Sequence, residues 1–162
     1  MPGPPPTARF GATLAHGTAA DIGQMTYPQR QATTMCGMDR LMCPCGLGDE
    51  YGSCCGRLHA GAPAPTAESL MRSRYSAFAV GDAGYLLRTW HPSGRPAALE
   101  LEPGLRWTRL AVLEADGGGL FDATGTVRFR AIYVQDGKRG VLAETSRFIR
   151  QDGLWRYLGP VD

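Results

Sequence analysis

The sequence predicts an α+β protein: a small cysteine-rich module, then helices, then an antiparallel meander. Three observations carry that expectation. Apolar residues recur at helical spacing ahead of Pro103-Gly104 and alternate with period two beyond it. Asp136-Gly137 and Asp152-Gly153 separate the alternating runs as hairpin turn signals. Four cysteines crowd into residues 43–55 in the spacing C-x-C-x8-C-C. Helices that precede a run of hairpins pack on one face of a curved antiparallel sheet.

Residues 1–42 show neither period and are dominated by Gly, Pro, Thr, Ala and Gln, the composition of a disordered tail. Met35, Met38 and Met42 lie just ahead of the cysteine cluster, so translation is expected to start nearer to it than Met1. Cys36 falls in this tail, outside the ligand spacing, as a free bystander. The module occupies residues 43–61, and Gly61-Ala62-Pro63-Ala64-Pro65 links it to a domain spanning 62–162. Thr66 caps a helix whose Glu68 faces the positive end of the dipole. Across residues 67–80, Ala67, Leu70, Met71 and Phe78 form its apolar stripe. Gly81 ends that helix, and Asp82 caps another through Tyr85, Leu86 and Trp90 that Pro92 stops. A third short helix is expected over residues 96–102. Strands are expected over 105–114, 126–134, 140–150 and 154–158. In the second of them Val127, Phe129, Ala131 and Tyr133 alternate with Thr126, Arg128, Arg130 and Ile132. Gly117-Gly118-Gly119 reads as a flexible loop between strands, not as a phosphate cradle.

At 162 residues and 17.4 kDa the chain has room for one ordinary domain and a small accessory module. A hydrophobic fraction of 43% and a charged fraction of 20% are those of a globular protein. Net charge is +2, and 16 of the 17 basic residues are Arg. That excess is attributed to genomic base composition. No block of like charge resembles a nucleic-acid-binding arm, so a nucleic-acid partner is not expected. No apolar run approaches the eighteen or so residues of a membrane span. Five cysteines, four of them grouped, suit a reducing compartment and a metal better than a disulfide framework. The first residues lack the charged and apolar regions of an export signal, and a cytoplasmic location is expected.

Four thiolates that close together satisfy the tetrahedral, sulfur-rich coordination that Zn²⁺ prefers. Structural zinc contributes roughly 10–16 kcal/mol in small peptides at neutral pH, enough to order a loop with almost no core. Gly46 and Gly48 permit the tight turn that lets Cys43 and Cys45 converge. His59, four residues beyond Cys55, is the substitute or supporting group. The spacing also leaves open four independent thiols or a vicinal Cys54–Cys55 disulfide.

Cys43-Pro44-Cys45-Gly46, Tyr51 and Cys54-Cys55 resemble the SEC-C metal-binding motif, best known from the C-terminal tail of the SecA translocation ATPase. Leu70-Met71-Arg72-Ser73-Arg74-Tyr75-Ser76-Ala77-Phe78 and Tyr85-Leu86-Leu87-Arg88-Thr89-Trp90-His91-Pro92 resemble the YchJ-like family, as do Glu144, Ser146, Phe148, Trp155 and Tyr157. The resemblance implies that Cys43, Cys45, Cys54 and Cys55 are zinc ligands. It implies next a nuclear-transport-factor-2-like domain, also called SnoaL-like and cystatin-like, in which helices close a cone over a curved sheet. Some members carry a second SEC-C motif at the C-terminus; none appears here before Asp162. Four protein ligands make a closed site, and closed zinc sites are structural. A hydrolytic zinc is therefore not expected.

Arg74 lies in the middle of the apolar stripe, whereas Arg72 points the opposite way. A buried guanidinium needs a carboxylate or a wet cavity. Glu144 is the expected partner, because its strand face also carries Leu142, Ser146 and Phe148. The pair is either a structural tie between helix and sheet, or Arg74 binds an anion or carboxylate inside the cone. His91 follows Trp90 and suits proton transfer, making His91 and Glu144 the catalytic candidates; the plainer reading is a packed helix cap. Tyr75 and Trp90 complete the candidate pocket with Arg74, His91 and Glu144, or they are core. No nucleophile elbow, phosphate-binding glycine loop or dinucleotide fingerprint occurs.

Three functions follow. The first is a zinc-binding adaptor whose SEC-C module contacts another protein. The second is a small-molecule binder or an enzyme of the isomerase, dehydratase or cyclase type using the cone; fold analogy alone is a thin warrant for it. The third is ribosome or nucleic-acid association through Arg128 and Arg130, to which a net charge of +2 adds little. An enclosed cavity holding Arg74, His91 and Glu144 favours the second. A cone filled by Tyr75, Trp90, Trp107 and Phe129 counts against it.

Overall fold

The computed structural model describes residues 40–161. The expectations for the tail before Arg40, including Met35, Met38 and Cys36, lie outside the described residues. Among the described residues, three helices, α1 (Cys55–His59), α2 (Ala67–Val80) and α3 (Ala83–Arg88), precede four strands. These are β1 (Arg106–Gly117), β2 (Thr124–Gln135), β3 (Lys138–Gln151) and β4 (Leu154–Pro160). The strands form one antiparallel sheet in the order β1-β2-β3-β4.

Local chemistry sets most boundaries. Thr66 Oγ1 accepts from Ser69 N at 3.0 Å to open α2, and Gly81 closes it at φ +84°. Asp82 caps α3 by accepting from Tyr85 N at 2.8 Å. Asp136-Gly137 and Asp152-Gly153 have positive φ at both positions, the two-residue turn that suits the twist of an antiparallel pair. Val127, Phe129, Ala131 and Tyr133 are all buried on the helix-facing side of β2. Val127, Phe129 and Ala131 pack with Leu70, Met71 and Tyr75 of α2 and with Phe148, Trp155 and Tyr157 of the later strands, while Tyr133 stands edge-on to Trp107.

The segment 96–102 is not helical, contrary to expectation. Its Leu99 and Leu101 both pack against the core, which requires residues two apart to share a side. That is an extended pattern, not a helical one. The helix capped by Asp82 also ends early, at Arg88. Beyond it Thr89 O accepts from Tyr157 N at 2.9 Å, His91 N donates to Tyr157 O at 2.8 Å, and Trp90 bridges Tyr157. The edge of β4 takes over the backbone groups that another helical turn would have used.

The triple glycine is docked rather than loose. Gly118 is buried, its N donates to Thr124 O at 2.9 Å, and its carbonyl accepts from Ala67 N at 2.9 Å. A Cβ on Gly118 would stand 2.5 Å from Ala67 Cβ. The linker ahead of α2 is likewise held, because Pro65 O accepts from Trp155 Nε1 at 3.3 Å.

Candidate metal centre

The sulfurs of Cys43, Cys45, Cys54 and Cys55 all lie within 4.8 Å of one another. The chain reaches this arrangement in two short moves. After Cys43 the backbone turns back, with Cys43 N donating to Asp49 O at 2.8 Å and Gly46 at φ +80°. Cys54 then precedes α1 and Cys55 is its first residue. Backbone pairing begins ahead of the first cysteine: Met42 bridges Glu50, and Leu41 O accepts from Tyr51 N at 2.7 Å.

The module sits on the side of α2 turned from the sheet. This explains why α2 is buried on nearly every face through residues 70–77. Arg72 bonds Glu68 at 2.8 Å and donates to Cys45 O at 3.1 Å. Ser76 Oγ lies 3.7 Å from Cys43 Sγ, and Val80 packs against the cysteines. His59 stands outside the sulfur cluster. Its Nε2 donates to Ser73 O at 2.8 Å, which leaves Nδ1 to accept from Tyr51 Oη at 2.6 Å. Sequence reasoning missed Ser73 and Ser76; their only signal is a polar residue every third position along an otherwise buried helix.

Crowding splits the thiols. Hydrogen bonds to the Cys45 and Cys55 sulfurs hold the Cys43 thiol far below the ordinary range. Cys54 is pushed up to about 12 by burial and by the neighbouring Cys45 and Cys43. Cys55 is pushed up by its bonds to Cys43 and Cys45 and then by burial. Beside the Cys43 thiolate, Cys54 and Cys55 thus resist losing their protons. A divalent cation reverses that order by drawing every thiol to thiolate. The donor set suits such an ion: Zn–S bonds of about 2.3 Å place tetrahedral sulfurs roughly 3.8 Å apart, and Cys45 Sγ lies 3.5 Å from Cys54 Sγ. With these four thiolates as ligands, all four positions would come from protein and would leave no site for a reacting water.

The other candidates sit elsewhere. Arg74 is fully buried, and its expected partner is corrected. Nη1 donates to Leu86 O at 2.7 Å and to Thr89 Oγ1 at 2.8 Å, and the guanidinium lies 4.4 Å from the Tyr157 ring centroid and 5.2 Å from that of Trp90. Tyr157 stands between it and the carboxylate. Glu144 Oε1 accepts from Ser146 Oγ at 2.7 Å and from Tyr157 Oη at 3.2 Å. Burial lowers the Arg74 pKa to about 10, opposed by the fields of Tyr157, Tyr85 and Glu144. The reason is local: the early end of α3 leaves the Leu86 carbonyl and Thr89 hydroxyl beside Arg74. Tyr75 is buried edge-on to Trp107, and Trp90 edge-on to Tyr157. His91 is half-buried, with Nδ1 2.7 Å from Ser93 Oγ.

Comparison with known proteins agrees with this architecture. Residues 66–160 match the family described as YchJ, middle NTF2-like domain. A UPF0225 protein of Streptomyces coelicolor is 60% identical, with 71% of this chain and 90% of that protein covered. A UPF0225 protein of Corynebacterium efficiens is 54% identical, with 75% and 94% covered. Among solved structures, a SEC-C motif containing protein from Rhodopseudomonas palustris aligns at a TM-score of 0.65 and 31% identity, covering 75% of this chain and 100% of that one. A SEC-C motif containing protein from Psychrobacter arcticus aligns at 0.65 and 25% identity, covering 76% and 84%. With its cysteine cluster ahead of an NTF2-like domain, this chain belongs to the YchJ-like, UPF0225 family.

Proposed function

We propose that this protein is a zinc-stapled interaction protein: the ion folds the cysteine module, and the outer side of the module engages a protein partner. The observation that carries the reading is a closed quartet of sulfurs lying beneath an exposed apolar rim. Leu41, Met42 and Leu47, on and next to the cysteine turn, are 59%, 64% and 56% exposed. A cleft of about 460 Å³ opens on the same module between Arg40, Glu50, Ser53 and Arg57. Large apolar side chains held in water beside charged groups are the usual make-up of a docking site. The interior of the cone supports this ordering, since Tyr75, Trp90 and Phe129 fill it.

The test is affinity capture from cell extract on the full chain, with and without a chelator, and with Leu41→Asp/Leu47→Asp. A partner set lost on chelation and lost with that variant supports the reading. A set unchanged by both reduces the module to a staple. Cys54→Ser is expected to abolish stoichiometric zinc, read by elemental analysis.

A second reading, a binder of small anions, rests on one observation. Arg74 Nε, Arg74 Nη2 and Trp90 Nε1 are buried donors without a hydrogen-bond partner among the described residues. Unmet donors in a dry interior are costly, about 1–3 kcal/mol each. Saturation-transfer screening of small carboxylates against wild type and Arg74→Met separates the readings.

A further inference from the structure

The face of the sheet turned away from α2 carries a charge pattern that the total charge hides. Strand register places Arg106, Arg109, Arg128, Arg130, Arg139 and Arg147 on it, all exposed. Two carboxylates, Glu114 and Asp116, share that face. Six exposed arginines against two acids leave +4 there, although the whole chain is only +2; register adds Arg156, half-buried and bonded to Arg88 O. Glu114 engages Arg128 at 2.9 Å, and Arg147 reaches Pro160 O at 3.2 Å. Arg106, Arg109, Arg130 and Arg139 have no ion-pair partner among the described residues.

The arginines spread over five successive rows of the sheet. Arg106 and Arg139 flank Val134 across three strands, and Arg109 pairs with Ile132 one row along. Arg128 and Arg130, on the inner strand β2, stand about 6.6 Å apart along the chain. A recess of about 240 Å³ lies between Leu113, Arg128, Arg130 and Thr145, where β1 bulges at Leu113. The side chains between the arginines are Ala111, Ile132, Val134, Val141 and Ala143; no aromatic ring is on this face among the described residues.

This composition selects among occupants. A second copy would bring six more guanidiniums against the first six, so pairing face to face is opposed. A protein interface keeps charge out of its centre and concentrates aromatic anchors there. Here the centre is charged and aromatic-free. A guanidinium fork bonds phosphate oxygens in pairs, and a field of them spread over three strands suits a chain that carries many phosphates. We propose that this face grips the phosphate backbone of a nucleic acid. Without rings for stacking, it holds the backbone and does not read bases.

The test is fluorescence anisotropy of the full chain with a labelled 20-nucleotide single-stranded RNA of mixed sequence, from 50 to 200 mM salt. Four to six phosphate contacts give a slope of log K against log salt of about −3 to −4. A second RNA of unrelated sequence is expected to bind equally. Arg109→Ala/Arg130→Ala/Arg139→Ala is expected to weaken binding at least tenfold at 50 mM salt and to flatten the slope by about two. The same three positions changed to Lys keep the slope, and Arg95→Ala, in an exposed loop, changes nothing. If the triple alanine variant does not fold, Arg130→Glu alone serves, with an expected loss of about fivefold. No binding at 50 mM salt overturns the proposal, as does binding that survives loss of the arginines. Equal affinity for a polyglutamate peptide overturns it too and assigns the face to an acidic protein.

Discussion

His59 and Ser73 join the cysteine module to α2: the imidazole Nε2 donates to the Ser73 carbonyl at 2.8 Å, while Nδ1 accepts from the Tyr51 hydroxyl at 2.6 Å. The ring also lies tilted over Tyr85, with centroids 4.3 Å apart. One neutral side chain thus ties together the module, the helix above it and the start of α3. The cluster is thus held in place from the protein side.

Burial lowers the His59 pKa below its ordinary value. Above about pH 6.5 the ring is neutral in both folded and unfolded chains, and its contribution is complete. As pH falls through the lowered folded value, the unfolded chain gains the proton first and that contribution is lost. Chemical denaturation between pH 8 and 5 is expected to show a loss in wild type that is absent in His59→Gln. At pH 8, His59→Ala is expected to cost about 1–3 kcal/mol, because Tyr51 Oη and Ser73 O each lose one hydrogen bond. Zinc content should stay stoichiometric; loss of zinc in His59→Ala would make the residue part of the metal site.

Arg74 tests what the core uses. Arg74→Ala leaves a void among Tyr157, Trp90 and Leu86 and is expected to destabilise by about 2–5 kcal/mol. Arg74→Met keeps most of the volume and removes a buried charge with no carboxylate in direct contact, so it should cost distinctly less. Equal damage from both variants would show that the charge itself, through the Tyr157–Glu144 pair, holds α2 on the sheet. Urea titrations of the two variants decide this.

Gly118→Ala meets two obstacles at once, the 2.5 Å approach to Ala67 Cβ and a φ of +76°. A loss of about 2 kcal/mol or more is expected in thermal or urea unfolding. Adding Ala67→Gly should recover the steric part only, because the backbone strain stays. Full recovery would mean that the positive φ costs nothing here.

The elements that were legible in the sequence are those set by neighbours in the chain. Thr66, Gly81 and Asp82 mark helix ends through bonds within three or four residues, and both Asp-Gly turns act within two. The cysteine spacing belongs to the same class, since its loop closes on itself. The helix expected over residues 96–102 does not form because Leu99 and Leu101 answer to a core reached through space. Which role His59 takes was not legible for a related reason: its partners, Tyr51 and Ser73, are chosen by where α2 lands.

The sequence by itself determined an α+β order, the four sulfurs, the caps and the turns, because each depends on short-range geometry. Only the tertiary structure decided which partners meet across it. It gave Arg74 a carbonyl, a hydroxyl and two rings in place of Glu144, and it wedged Gly118 under α2. It also gathered six exposed arginines from three strands onto one face, which a net charge of +2 conceals. Charge summed along a chain carries no direction, and only the pleat and register of the strands assign each side chain to a side.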